Sequence, residues 1–429
     1  MNKFDPAAYL ASLNIDVMHF GLTAVSGLLS RLGNPQNAYK TILIAGTNGK
    51  GSTAAMTASI LRCAGYKTGL YTSPHLIDVR ERIAVDGKKI SRLDFRRTVG
   101  AVKREIKQPV TYFEVLTAAA FLYFQRREID IAVLEAGLGG RLDATNVCRP
   151  LVSVITNVGF DHTAYLGNTL TAIAREKAGI IRQNGICITA AKQKKVLAVL
   201  ESACRRRRAS LYRIGKDMKI KRQKDGILAY RGIYGDLNNP VIPLAGRHQL
   251  DNAALALAAI EITGKNGLPV DDAAIRKGLA ETHWPARLEV LRKSPLFVLD
   301  GAHNPAGINV LCRALKNDFS YHRLILIFGA LADKDYRRML RKIAPLAEQI
   351  ILTQLQSKRA VPVKDIYEYV HKLGYKAVIA ENVAGSLERA LKLAGKEDLI
   401  CATGSLYLAG EVKQAFPELV SYDKKPKQS

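Results

Sequence analysis

The sequence predicts a two-domain α/β protein, with residues 1–285 built on a parallel sheet and residues 286–429 forming a smaller, doubly wound domain. Three observations predict it. Short β-prone apolar runs alternate with helical stretches along most of the chain, the pattern of strands joined by crossover helices. The alternation occurs twice, and Trp284-Pro285-Ala286-Arg287, with Pro295 beyond it, separates the two series, because proline ends helices and stiffens connections. At 429 residues and 48% hydrophobic composition, the chain can bury more than one core.

In the first series, Lys40–Ala45 is an apolar strand-like run that leads through Gly46-Thr47-Asn48-Gly49-Lys50-Gly51-Ser52 into an alanine-rich helical pattern over 53–63. Strands are expected at 68–72, 129–135 and 151–157, and a helix at 113–124. In the second series, strands are expected at 296–299, 324–328, 349–353, 376–379 and 398–402, separated by helices. No internal repeat suggests a solenoid. No run approaches the roughly 18 to 20 apolar residues of a membrane span. Residues 1–6 lack the charged start and apolar stretch of a secretory signal, so the cytoplasm is the expected location and membrane partners are not expected. The six cysteines form no C-x-x-C pair, which argues against a zinc site or a disulfide framework.

The formal charge of +26 favours polyanionic partners, among them nucleotide, polyglutamate and nucleic acid. Arg205-Arg206-Arg207-Arg208 and the following Lys216, Lys219, Lys221 and Arg222 have few interleaved aromatics and match no nucleic-acid module. They read as a solvated face, and no nucleic-acid partner is expected.

The glycines of the loop 46–52 let backbone N–H groups approach phosphate oxygens, and the helix that follows offers its positive end. Lys50 would neutralise transferring charge. Gly51 intrudes between Lys50 and Ser52, so the loop is a variant of the usual phosphate loop; the bland alternative is a glycine-rich turn. Glu135 ends a parallel strand before a glycine-rich turn, which puts its carboxylate in the crevice at the strand's carboxyl end. His162 follows the next strand similarly. A strand-end carboxylate can instead cap a helix, and a lone histidine is more often structural.

This loop resembles the nucleotide loop of the folylpolyglutamate synthases, a branch of the Mur ligase superfamily in which Gly51 is a peculiarity. The likeness continues through Tyr71-Thr72-Ser73-Pro74-His75-Leu76, Arg80-Glu81-Arg82-Ile83, Thr111-Tyr112-Phe113-Glu114, the block from Glu135 to Asn146, Asp161-His162-Thr163, Arg175-Glu176-Lys177-Ala178-Gly179-Ile180, Leu299-Asp300-Gly301-Ala302-His303-Asn304-Pro305 and Thr403-Gly404-Ser405-Leu406-Tyr407. It implies that the first domain is of the Mur ligase central type. It also implies an ATP-dependent ligase that turns a carboxylate into an acyl phosphate, which the amine of L-glutamate attacks to give an amide, ADP and phosphate. The implied acceptors are dihydropteroate and reduced folates, since the loop 140–146 resembles that of the bifunctional bacterial members. The implied cofactors are ATP and two Mg2+ ions, and a monomer is expected.

The resemblance also assigns residues. Gly49, Lys50, Gly51, Ser52, Asn252, Arg287 and Asp300 would contact the nucleotide. Ser52, Ser73, Glu135 and His162 would hold metal, joined by Lys177, which in the family is carbamylated and so becomes carboxylate-like. Lys50, Lys177 and His303 are the expected catalytic set. Phe20, Gly21, Thr111, Leu142, Asp143 and Ala144 would receive the pterin. Ala286 stands where the family often has glycine. Two rivals remain: a cell-wall Mur ligase, which Gly51 and the Leu142-Asp143-Ala144 block disfavour, and a basic phosphate-loop protein that binds nucleic acid without ligase chemistry.

Overall fold

A computed structural model describes residues 4–13, 21–223 and 227–422, with side chains as far as residue 417. The chain divides into two compact units, Met1–Pro243 with Gln249–His283, and Leu244–His248 with Trp284–Ser429.

The first unit is organised by eight strands: β1 (Lys40–Ala45), β2 (Thr68–Tyr71), β3 (Ile83–Val85), β4 (Lys88–Lys89), β5 (Ile131–Glu135), β6 (Val152–Ile155), β7 (Ile186–Thr189) and β8 (Ser210–Arg213). Their order across the sheet is β4-β3-β2-β5-β1-β6-β7-β8. The strands β2, β5, β1, β6, β7 and β8 run parallel, while β3 and β4 add an antiparallel edge. The sequences KTILIA and IAVLE are continuous apolar runs because both faces of a parallel sheet are covered. Helices Lys50–Cys63 and Tyr112–Arg126 cover it, the latter burying Phe121 and Phe124 completely. The register pairs Ile44 with Glu135 and Ala45 with Ile155, so β1, β5 and β6 end level with one another. Whatever follows these three strands is gathered at one edge.

The strands expected from sequence are present, with ends shifted by one or two residues, as fraying ends allow. The strands β3, β4, β7 and β8, and in the second unit Glu289–Lys293, were not expected, and two further features differ. The helix expected from residue 53 begins at Lys50, so Lys50, Gly51 and Ser52 form its first turn. A separate antiparallel sheet of β9 (Lys219–Arg222), β10 (Leu228–Arg231) and β11 (Asp236–Asn238) was not expected. Its strands KIKR, LAYR and DLN are only three or four residues long and mostly exposed or half-buried, so they carry little apolar alternation to read.

The second unit holds β12 (Glu289–Lys293), β13 (Leu296–Leu299), β14 (Leu324–Phe328), β15 (Gln349–Thr353), β16 (Ala377–Ala380) and β17 (Leu399–Thr403), ordered β12-β13-β17-β14-β15-β16. All but β12 are parallel, and β17 returns to lie between β13 and β14. That insertion makes a switch point, where crevices form at the carboxyl ends of strands. Phe328, Leu326 and Leu352 anchor its core. Among the described residues, no helix is long and apolar enough to cross a membrane.

Candidate active site

The turn leaving β1 is pinned by the segment leaving β6. Thr47 N–H donates to Asn157 O at 3.0 Å, Asn48 N–H donates to Asn157 Oδ1 at 3.0 Å, and Asn48 O accepts from Thr156 Oγ1 at 2.7 Å and Asn157 Nδ2 at 2.9 Å. Gly46 permits this closeness, because a Cβ there would lie 1.8 Å from Thr156 Oγ1. Gly49, at φ 83°, is the N-cap of helix Lys50–Cys63, and no side chain caps it. Helices starting at Tyr112, Arg92 and Leu170 are capped by Thr111, Ser91 and Thr169. The first N–H groups of Lys50–Cys63 have no such partner, which makes this helix end suited to an anion.

Lys50 Nζ lies 3.9 Å from Glu135 Oε1 and 3.4 Å from Thr47 O. The other Glu135 oxygen accepts from Ser73 N–H at 3.1 Å. Lys177, buried in the last turn of helix Leu170–Ala178, donates from Nζ to Gly46 O at 2.9 Å. Burial, with the Lys50 charge adding to it, lowers the Lys177 amine to about 7, and Asp161 and Asp143 only partly oppose this. His162 sits at φ 49°, its backbone N–H held by Asp161 Oδ1 at 3.0 Å and its Nε2 3.7 Å from the same oxygen. Among the described residues no three or more His, Cys, Asp and Glu assemble into a metal cluster. The Glu135 carboxylate offers hard oxygens beside the Lys50 ammonium and the Ser73 N–H, which suit a magnesium-type ion completed by phosphate oxygens and water.

Ser52 Oγ accepts from Gln249 Nε2 at 3.4 Å, and Gln249 Oε1 accepts from Asn252 Nδ2 at 2.8 Å. Asn252 Oδ1 lies against Gly49, where a Cβ would come within 2.4 Å of it. Of the expected pterin residues, Thr111 caps helix Tyr112–Arg126 in a capping box with Glu114. Asp143 is buried and its oxygens accept from Leu138 N–H at 2.8 Å and Thr145 N–H at 3.0 Å. Burial pushes its carboxyl up while these bonds pull it back. Both residues are therefore engaged in their own loops. Ala144 is buried, Leu142 half-buried and Gly21 unencumbered, whereas Phe20 lies outside the described residues.

The 71–76 and 80–83 blocks form one knot. Glu81 accepts from Leu76 N–H and Asp78 N–H, each at 2.9 Å, and Arg82 Nε donates to His75 Nδ1 at 2.9 Å. Burial, then the Arg82 charge, lowers His75 to about 4, so it is a neutral acceptor.

In the second unit, Asp300 Oδ2 accepts from Leu288 N–H and Oδ1 from Ala302 N–H, both at 2.9 Å, which ties the segment 286–288 to the end of β13. Arg287 donates to Ala286 O at 2.9 Å. His303 Nδ1 lies 2.9 Å from Gly301 O, and a carbonyl only accepts, so this nitrogen carries the proton. No role was expected from sequence for Thr156, Asn157, Asp161 or Gln249, although Asp161 lies in the Asp161-His162-Thr163 block. The first two act across more than a hundred residues of chain, and nothing in their own spacing signals it.

Residues 44–260 match the Mur ligase middle domain, and residues 286–406 match the family described as Mur ligase, glutamate ligase domain. The chain is 35% identical over 418 residues to the dihydrofolate synthase/folylpolyglutamate synthase of Bacillus subtilis, covering 92% of this chain and 94% of that protein. It superimposes with TM-score 0.90 and 30% identity on E. coli FolC in complex with DHPP and ADP, covering 98% and 99% of the two chains. It superimposes with TM-score 0.86 and 29% identity on the bifunctional folylpolyglutamate synthase/dihydrofolate synthase of Yersinia pestis complexed with AMPPNP and a Mn ion, covering 96% and 97%. With both of its units matched and a relative this similar along nearly its full length, the chain belongs to the Mur ligase family, in the branch of the dihydrofolate synthases and folylpolyglutamate synthases.

Proposed function

We propose that this ATP-dependent ligase joins L-glutamate to dihydropteroate and to reduced folates, and that the cluster at the carboxyl edge of β1, β5 and β6 carries the phosphoryl transfer. The observation that supports it most is the uncapped helix start at Lys50 facing the Glu135 carboxylate, with a depressed Lys177 amine beside the same turn. Chemistry of this kind depends on positioned charge more than on a protein nucleophile.

In this reading Gly49, Lys50, Gly51 and Ser52 hold the phosphates, Lys50 follows the transferring phosphoryl group, and Asn252, Arg287 and Asp300 contact the nucleotide. Ser52, Ser73, Glu135 and His162 would hold magnesium, which when bound supplies positive charge against the phosphate oxygens. Two ions are proposed. A neutral Lys177 amine adds to carbon dioxide, forming an N–C bond and releasing one proton, and the resulting carbamate would give a further oxygen ligand. His303 is proposed to act at the reacting carboxylate. Phe20, Gly21, Thr111, Leu142, Asp143 and Ala144 are proposed to border the pterin, with Asp143 holding the shape of the loop that receives it.

The test is glutamate-dependent ADP release with each acceptor in turn. Wild type should turn over both, and Lys50→Ala should lose at least about a hundredfold on both while melting as wild type does. Absence of dihydropteroate turnover would remove the first activity, and near-normal turnover by Lys50→Ala would remove the phosphate-loop assignment.

A further inference from the structure

We infer that Gln249 is a positioning residue that locks the two ends of the Gly49 to Ser52 turn to each other and to Asn252. It lies at the start of helix His248–Lys265 and is 1% exposed, although an amide is costly to bury unless its hydrogen bonds are made. Both ends of the amide are used. Nε2 donates to Ser52 Oγ at 3.4 Å and Oε1 accepts from Asn252 Nδ2 at 2.8 Å. Asn252 is three residues on, so the two amides share one face of the helix.

The second contact decides how Asn252 is turned. With Nδ2 committed to Gln249, Asn252 Oδ1 faces the α-carbon of Gly49, the left-handed N-cap of the phosphate-loop helix. Gln249 thus holds Gly49 through Asn252 and Ser52 directly. Taking one lone pair of Ser52 Oγ leaves that hydroxyl a single remaining acceptor direction. A side chain with only one of these bonds would leave the other partner free to rotate. The inference rests on the proposed nucleotide roles of Ser52 and Asn252, and Gln249 itself is assigned no contact with substrate.

The test is binding of a fluorescent ATP analogue to the full chain, with and without Mg2+, alongside KM values. Gln249→Met keeps length and removes both hydrogen bonds. It should weaken analogue binding about tenfold and raise KM for ATP similarly, with KM for glutamate and folate within about twofold. Gln249→Glu keeps the acceptor for Asn252 and should weaken binding only about threefold. In a Ser52→Ala, Asn252→Ala background, Gln249→Met should add less than about twofold, because its partners are gone. If Ser52→Ala and Asn252→Ala leave analogue binding unchanged, the nucleotide roles fail and the inference with them. If those two weaken binding but Gln249→Met does not, or its effect adds fully in the double background, positioning alone is overturned. Should Gln249→Met not fold, Gln249→Glu decides, and equal rises in all three KM values would overturn the inference.

Discussion

At Lys177, burial lowers an amine from the ordinary 10.5 to about 7, with the nearby Lys50 charge adding to the effect. Roughly half of it is then neutral near pH 7 and able to react with carbon dioxide, where an ordinary lysine would be almost wholly protonated. Activity should therefore fall in carbon-dioxide-depleted buffer and recover with bicarbonate, and acetate should partly restore Lys177→Ala. Full activity without carbon dioxide, with an unmodified Lys177 by mass spectrometry, would refute the carbamate. His75 gives a second prediction. Its imidazole is at about 4 in the folded chain against 6.5 when unfolded, so between these values the unfolded state binds more protons. Stability present above pH 6.5 should be lost as pH falls toward 4, by about 3 kcal/mol at most. His75→Gln, which still accepts from Arg82 but cannot titrate, should flatten that loss in metal-free urea titrations, and an unchanged slope would count against it.

Two loop ends place the same left-handed demand on their elements and meet it differently. Gly49 begins helix Lys50–Cys63 at φ 83°, and any Cβ would strike Asn252 Oδ1. Gly49→Ala should cost about 1–2 kcal/mol from backbone conformation alone. It should also weaken nucleotide binding at least about tenfold, because Asn252 must move. ATP-analogue binding within twofold of wild type would contradict this. Ala286, ahead of β12, sits at φ 54° with its N–H held by Glu289 Oε2 at 2.8 Å, so here a methyl occupies conformational space where glycine is at ease. A glycine at this position would meet that angle without the methyl's cost. Ala286→Gly should leave stability unchanged or raise it by up to about 1 kcal/mol. A loss larger than that in thermal melts would mean the buried methyl matters more than the backbone.

Over the whole molecule the +26 charge acts as a field more than through any one contact. Some basic residues are paired, as Arg213 is with Glu201 at 2.7 Å, whereas in the 205–208 run Arg206 donates to Ser202 Oγ and Arg207 to Ala178 O, neither of them a carboxylate. Such a field should draw nucleotide and polyglutamate carboxylates, and duplex DNA should bind only weakly, without sequence preference and with affinity falling steeply as salt rises. Tight, sequence-dependent binding at physiological salt would restore the nucleic-acid reading.

Sequence alone determined the α/β class, the four central strands of the first sheet and the parallel strands of the second, because apolar runs are local signals that no distant residue has to complete. It could also place Glu135 at a strand end. It could not tell that Thr156 and Asn157 clamp the loop, that Gln249 joins Ser52 to Asn252, or that Thr111 and Asp143 spend hydrogen bonds on their own turns. Those facts depend on which strands become neighbours: β1 pairs with β5 and β6, which follow it by about ninety and more residues. The depressed amine of Lys177 is decided in the same way, since burial and a second ammonium are properties of the packed site and not of the Arg-Glu-Lys-Ala-Gly-Ile segment that carries it.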